Sequence, residues 1–181
     1  DGQNKIVLGT AEGGIQITLF RLNALDPDNL YVNQTDPFAD KRATPLDLNH
    51  WYFHTMHHEF MHILNQKKPY DESYDNISRA DYLSGNWTTW SDRQAQKQGF
   101  VSAYSMENPA EDFAEMYAKY VTRTPQEWND ILTVAGTKGK SIINRKRDYM
   151  KTAWDADIDL LRNDILRRGG KIETLNLESF E

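Results

Sequence analysis

The chain has 181 residues, 39% of them hydrophobic and 27% charged, with a net charge of −6 and a pI near 5.4. Those values suit one folded domain large enough for a real core and exclude a disordered chain. The acidic balance argues against a nucleic-acid partner, and the lack of cysteine removes disulfides and thiolate ligands. No apolar run approaches the roughly 18 residues of a membrane span.

"KIVLG" and "GIQITLFRL" read as two strands joined by the turn-like "TAEGG", since Ile15, Ile17 and Leu19 alternate with Gln16, Thr18 and Phe20. The stretch "NALDPDNLYVNQTDPFADKRAT" follows as loop. A long helix is expected next, with Thr44 as its N-cap, Pro45 at its first position and Asp47 in its first turn. It should run to about Gln66 and be closed by "KKP". "YDESYDNISRADYLSGNWTTW" reads as irregular, and "SDRQAQKQG" as a short helix ended by Gly99.

After the extended or looped "FVSAYSM" comes "NPAEDFAEMYAKYVT", a helix capped by Asn108 with Pro109 first. "TPQEWNDILTVAG" repeats that start signal. A last helix from about Lys140 to Arg168 carries a stripe of Ile142, Tyr149, Trp154, Ile158, Leu161 and Ile165, and Gly169 and Gly170 end it. The basic run "KGKSIINRKR" is expected to be the solvated start of that helix. The fold class is α+β, helix-rich, with a small N-terminal sheet.

All five histidines fall between His50 and His62. His58, Glu59 and His62 spell H-E-F-M-H, and positions four apart share one helical face. Both imidazoles can therefore reach one metal ion, for which Zn2+ is the usual occupant, while Glu59 can act as general base on water. A third protein ligand must come from elsewhere, and neither a cysteine nor a later histidine exists to supply it.

Glu111 and Glu115 stand four apart on a helix otherwise short of polar surface, with Glu107 and Asp112 as competitors off that face or ahead of the helix. The division expected is Glu111 as third ligand and Glu115 orienting His58 through its other ring nitrogen. His54 shares the face of His58, either as a possible cleft residue or as a buried residue with a local partner. His57 points elsewhere and is given a structural role. The tryptophans of "GNWTTW" could stack on substrate or plug the core beneath their loop.

H-E-F-M-H followed by Y-S-M-E-N-P-A-E-D-F-A-E resembles the gluzincin metallopeptidases, most closely the branch around anthrax lethal factor. The resemblance covers about Pro45 to Tyr120. It implies a zincin-like domain with an active-site helix, and it makes Tyr104 the donor to the scissile carbonyl oxygen. More narrowly, the chain is similar to the substrate import-associated zinc metallohydrolase lipoproteins of Gram-negative bacteria. That likeness implies an exported protein, periplasmic or at the outer-membrane surface, acting on a peptide or protein substrate beside TonB-dependent import components. It also implies that residues 1–181 are one domain, the trimmed C-terminal part of a longer lipoprotein. Two departures stand out: the lipid-bearing cysteine is not in this chain, and only a short piece of sheet precedes the zinc helix.

The reading these observations favour is a zinc metallopeptidase. Against it stand a zinc-containing module that binds peptide or glycan without turnover, and a non-peptidase zinc hydrolase.

Overall fold

In the computed structural model of the chain, residues 9–13, 16–19 and 48–167 are described, positions 48–52 by their backbone alone. β1 (Gly9–Glu12) and β2 (Gln16–Leu19) form an antiparallel hairpin in the register Gly9↔Leu19 to Glu12↔Gln16. Thr10, Ala11 and Glu12, expected in the turn, therefore belong to β1, and the turn begins at Gly13 with φ +58°. A positive φ suits glycine because it lacks a Cβ.

The hairpin lies on α1 (Leu48–Lys67). At Gly9 the approach is so close that an added Cβ would stand 2.9 Å from Thr55 Cγ2 and 3.2 Å from Glu59 Cγ. The expected Thr44 cap, Asp47, Gly169 and Gly170 lie outside the described residues.

α2 (Glu72–Ser78) corrects the expectation of an irregular stretch. Seven residues are too few to show a helical period. What forms this helix is the Asp71 side chain accepting from Ser73 N–H at 2.8 Å, together with a fully buried Tyr74. α3 (Asp92–Gln98) has a capping box between Ser91 and Gln94 and stops at Gly99, φ +98°. α4 (Pro109–Thr122) begins at Asn108, whose side chain accepts from Glu111 N–H.

α5 (Pro125–Tyr149) starts with a Thr124–Glu127 capping box and joins the helix of "TPQEWNDILTVAG" to the one expected from about Lys140 across a kink at Gly136, φ +65° and ψ −169°. The single last helix is also corrected. A π turn over Met150–Trp154 and extended Asp155 separate α5 from α6 (Ile158–Arg167). The break follows Trp154, whose ring meets Phe113 edge-on at 5.4 Å and whose Nε1–H donates to the Lys68 carbonyl at 2.9 Å.

α1 packs on α4, α4 on α6, and α3 on α5. The main core gathers Met61, Tyr74, Phe113, Met116, Tyr117 and Ile143. A second cluster around Phe100 and Met106 is covered by Trp87 and Trp90, so both tryptophans pack on core beneath their loop. Lys146, expected in solvent, is wholly buried instead, 2.7 Å from Asp112. No helix among the described residues is long and apolar enough to cross a membrane.

Candidate metal centre

α1 and α4 face each other along their length and bring together residues 49 to 61 positions apart. His58 Nε2 lies 3.0 Å from Glu111 Oε2 and 3.1 Å from His62 Nε2, and the third side, His62 Nε2 to Glu111 Oε2, is 3.3 Å. Asn108 helps to set this triangle by starting α4 so that Glu111 falls in its first turn.

The donor set fits zinc on two grounds. Ligands at about 2.0–2.1 Å from a tetrahedral ion stand about 3.3 Å from one another, close to the sides observed. Two imidazole nitrogens aimed at each other and at one carboxylate oxygen also form a knot of lone pairs that needs a cation at its centre. The same demand appears as proton affinity. Burial works against charge on His58, but hydrogen bonds to Glu111 and Glu115 outweigh it and push the imidazole up to about 10. Burial likewise opposes ionisation of Glu111, yet His58 and His62 bring it down to about 2. A bound ion supplies that positive charge in place of a proton. Among the described residues no fourth histidine or carboxylate joins this group, the pattern of a site with a coordination position left for water or substrate.

The other expected residues surround the triangle. Glu115 is buried, and its Oε1 lies 3.1 Å from His58 Nδ1. Burial, with a smaller push from the Glu111 charge, raises the Glu59 carboxyl, and the charges of His58 and His62 and a hydrogen bond from the Ala11 backbone N–H partly offset this. Glu59 thus touches β1. Tyr104 keeps only about a third of its surface exposed (36%), with its ring 5.7 Å from that of His58 and edge-on to Trp87 at 5.0 Å. Burial of the phenol, the charge of Glu111 and a hydrogen bond to it keep Tyr104 protonated.

His54, a possible cleft residue by sequence, is buried between α1 and α4 with Nε2 2.7 Å from Glu115 Oε1, so its partner is on another helix. His57 turns to the core, edge-on to Phe53 at 4.7 Å. The two competing carboxylates are engaged elsewhere: Asp112 with Lys146 and Tyr82, and Glu107 with the backbone N–H of Gly85. Sequence reasoning missed Ser102, whose Oγ donates to Glu115 Oε2 at 2.6 Å. A lone serine in a loop carries no signal of that kind.

Fold and site together define a helix-rich α+β protein with a His–His–Glu cluster able to hold a metal. Residues 1–159 match the model of a family described as "putative zinc-binding metallo-peptidase", and the chain belongs to that family. It is similar to a crystal structure of the same description from Bacteroides caccae ATCC 43185, with 40% identity and a TM-score of 0.70 over 94% of this chain. The chain spans 61% of that protein's length. No curated protein matches it.

Proposed function

We propose that the protein is a zinc-dependent peptidase of gluzincin type, with His58, His62 and Glu111 as metal ligands and Glu59 as general base. The observation that carries this reading is the triangle of ligand atoms with sides of 3.0, 3.1 and 3.3 Å. His58, His62 and Glu111 would hold zinc, which when bound would polarise a scissile carbonyl and make water acidic enough to lose a proton near neutral pH.

Glu59 sits one helical position past His58, about 100° round the helix, and so reaches the water without filling a ligand position. Its carboxylate takes the proton from the attacking water and passes it to the leaving amine. Burial, by raising that carboxyl, brings its proton affinity nearer to the water's. Tyr104, held as a phenol, donates its O–H to the carbonyl oxygen as negative charge develops there. Glu115 accepts from His58 Nδ1–H, which directs the Nε2 lone pair inward. Export, a lipid anchor in a longer product, and action beside TonB-dependent import components belong to the same proposal and rest on the family resemblance alone.

The test is zinc content and peptide-library cleavage for wild type, Glu59→Gln and Glu111→Ala. One zinc per wild-type chain is expected, retained in Glu59→Gln with cleavage reduced about 10²–10⁴-fold, and lost in Glu111→Ala. Undiminished cleavage by Glu59→Gln refutes the general-base assignment. Zinc bound equally well without Glu111 refutes the ligand set. Zinc that depends on Glu111 with no cleavage in wild type leaves the peptide- or glycan-binding module standing.

A further inference from the structure

We propose that His54 and Ser102 are positioning residues that, through Glu115, fix the tautomer and orientation of His58 as a zinc ligand. This rests on the ligand set proposed above and extends it by one layer.

The Glu115 carboxylate is buried at the junction of α1, α4 and the loop before α4, where an unpaired charge is costly. Three side-chain donors meet it. His54 Nε2 is 2.7 Å from Oε1, His58 Nδ1 is 3.1 Å from the same oxygen, and Ser102 Oγ is 2.6 Å from Oε2. Ser102 is itself held by the Ser105 backbone N–H at 3.2 Å and the Ser105 hydroxyl at 3.0 Å.

The contact to the metal-site histidine is the longest of the three, so the two shorter ones set where the carboxylate stands. Donors thus reach both carboxylate oxygens, two ring nitrogens at Oε1 and one hydroxyl at Oε2. An ionised carboxylate only accepts. It therefore requires a proton on Nδ1 of His58, which leaves the Nε2 lone pair free to face Glu111 and His62. Remove His54 or Ser102, and the carboxylate rotates more freely. The constraint on His58 then weakens.

His54, His58 and Glu115 also lie close enough together to be considered as a second metal group. Their contacts are of another kind from those of the triangle. Both end on one carboxylate oxygen, whose two lone pairs are matched by two N–H donors. A metal there would also need His58 to bridge two ions with both ring nitrogens deprotonated. Protons on His54 Nε2 and His58 Nδ1 satisfy that oxygen without an ion.

The experiment compares zinc affinity by chelator competition, and the cobalt(II) absorption spectrum, for the wild-type chain, His54→Leu, His54→Gln and Ser102→Ala. The thermal midpoint of each metal-free form is the folding control. We expect one zinc per wild-type chain, an affinity about 10–100-fold weaker in His54→Leu, recovery in His54→Gln, whose amide can still donate to Glu115, and a smaller loss in Ser102→Ala. If His54→Leu does not fold, Ser102→Ala carries the test through its zinc affinity and spectrum. Lower metal-free stability with unchanged zinc affinity and spectrum overturns the proposal, because it makes both residues merely structural. A second zinc per wild-type chain, lost with His54, also overturns it. Failure of wild type to bind zinc overturns the ligand set itself, and it is told apart by appearing without any substitution.

Discussion

Replacing Lys146 with Met should cost more than any surface change in this chain, and the structure supplies the magnitude. Lys146 Nζ lies 2.7 Å from Asp112 Oδ2 and 2.9 Å from the Gly99 carbonyl, over the Phe100 ring at 3.9 Å. Asp112 Oδ2 also accepts from Tyr82 O–H at 2.9 Å, while Oδ1 is buried with no partner among the described residues. Burial pulls Lys146 down and pushes Asp112 up, so each group leans toward its neutral form and the pair only partly recovers what desolvation costs.

Lys146→Met leaves Asp112 with one neutral donor. The expected loss is about 3–5 kcal/mol, a large part of a total stability of about 5–15 kcal/mol. With a urea slope of about 2 kcal/mol/M, the midpoint should fall by about 2 M. The double variant Lys146→Met with Asp112→Asn removes both charges and keeps an acceptor for Tyr82. It should recover most of the loss, giving a coupling of at least about 2 kcal/mol. Urea denaturation of wild type, the two singles and the double measures the cycle. A single-variant cost below about 1 kcal/mol, or costs that simply add, refutes the reasoning.

Three further outcomes are expected. Tyr104→Phe keeps the ring against His58 and Trp87 but removes the donor, so zinc content should hold while kcat/KM falls about 10²–10³-fold; unchanged kinetics would remove Tyr104 from the chemistry. Gly139→Ala places a Cβ 2.0 Å from the Gln96 backbone carbonyl, where α5 crosses α3, so the helices must separate. Overpacking of about 1–3 kcal/mol or more outweighs the helix-propensity gain of about 1 kcal/mol, and a thermal midpoint at or above that of wild type would contradict it. His57 is lowered to about 4, chiefly by burial and then by His54. A depressed folded pKa contributes stability that is present above about 6.5 and lost as pH falls toward 4. Relative to His57→Gln, wild type should therefore lose up to about 3 kcal/mol across that window, and parallel stability curves would show that His57 protonates as freely folded as unfolded.

What the sequence disclosed about this protein and what it concealed divide along a physical line. Ends of helices are local events: Gly99 closing α3, Asn108 accepting from Glu111 N–H behind Pro109, and Thr124 with Glu127 are each settled within four residues, and so could be read directly. The pairs His58–His62 and Glu111–Glu115 were legible for the same reason, since helical spacing alone puts each pair on one face.

Docking of one helix on another is not local. Lys146 looked like one cation in a basic run because Asp112 stands 34 positions earlier, and only the crossing of α5 over α4 and α3 makes them partners. His54 suggested a cleft or a local bond because Glu115 lies 61 positions away. The π turn at Met150–Trp154 follows from where the Trp154 ring and its N–H find partners, on α4 and after α1.

The chemistry-bearing atoms of the candidate site thus come from two short motifs, while the groups that hold those atoms in place come from packing. Substitutions at the metal ligands should abolish zinc binding, and those at Glu59 and Tyr104 should cut turnover by about 10²-fold or more. Substitutions at His54 and Ser102 should grade zinc affinity, and those at Lys146 and Gly139 should grade stability. That ordering is a consequence of the fold, and zinc titrations run beside denaturation curves on the same variants measure it.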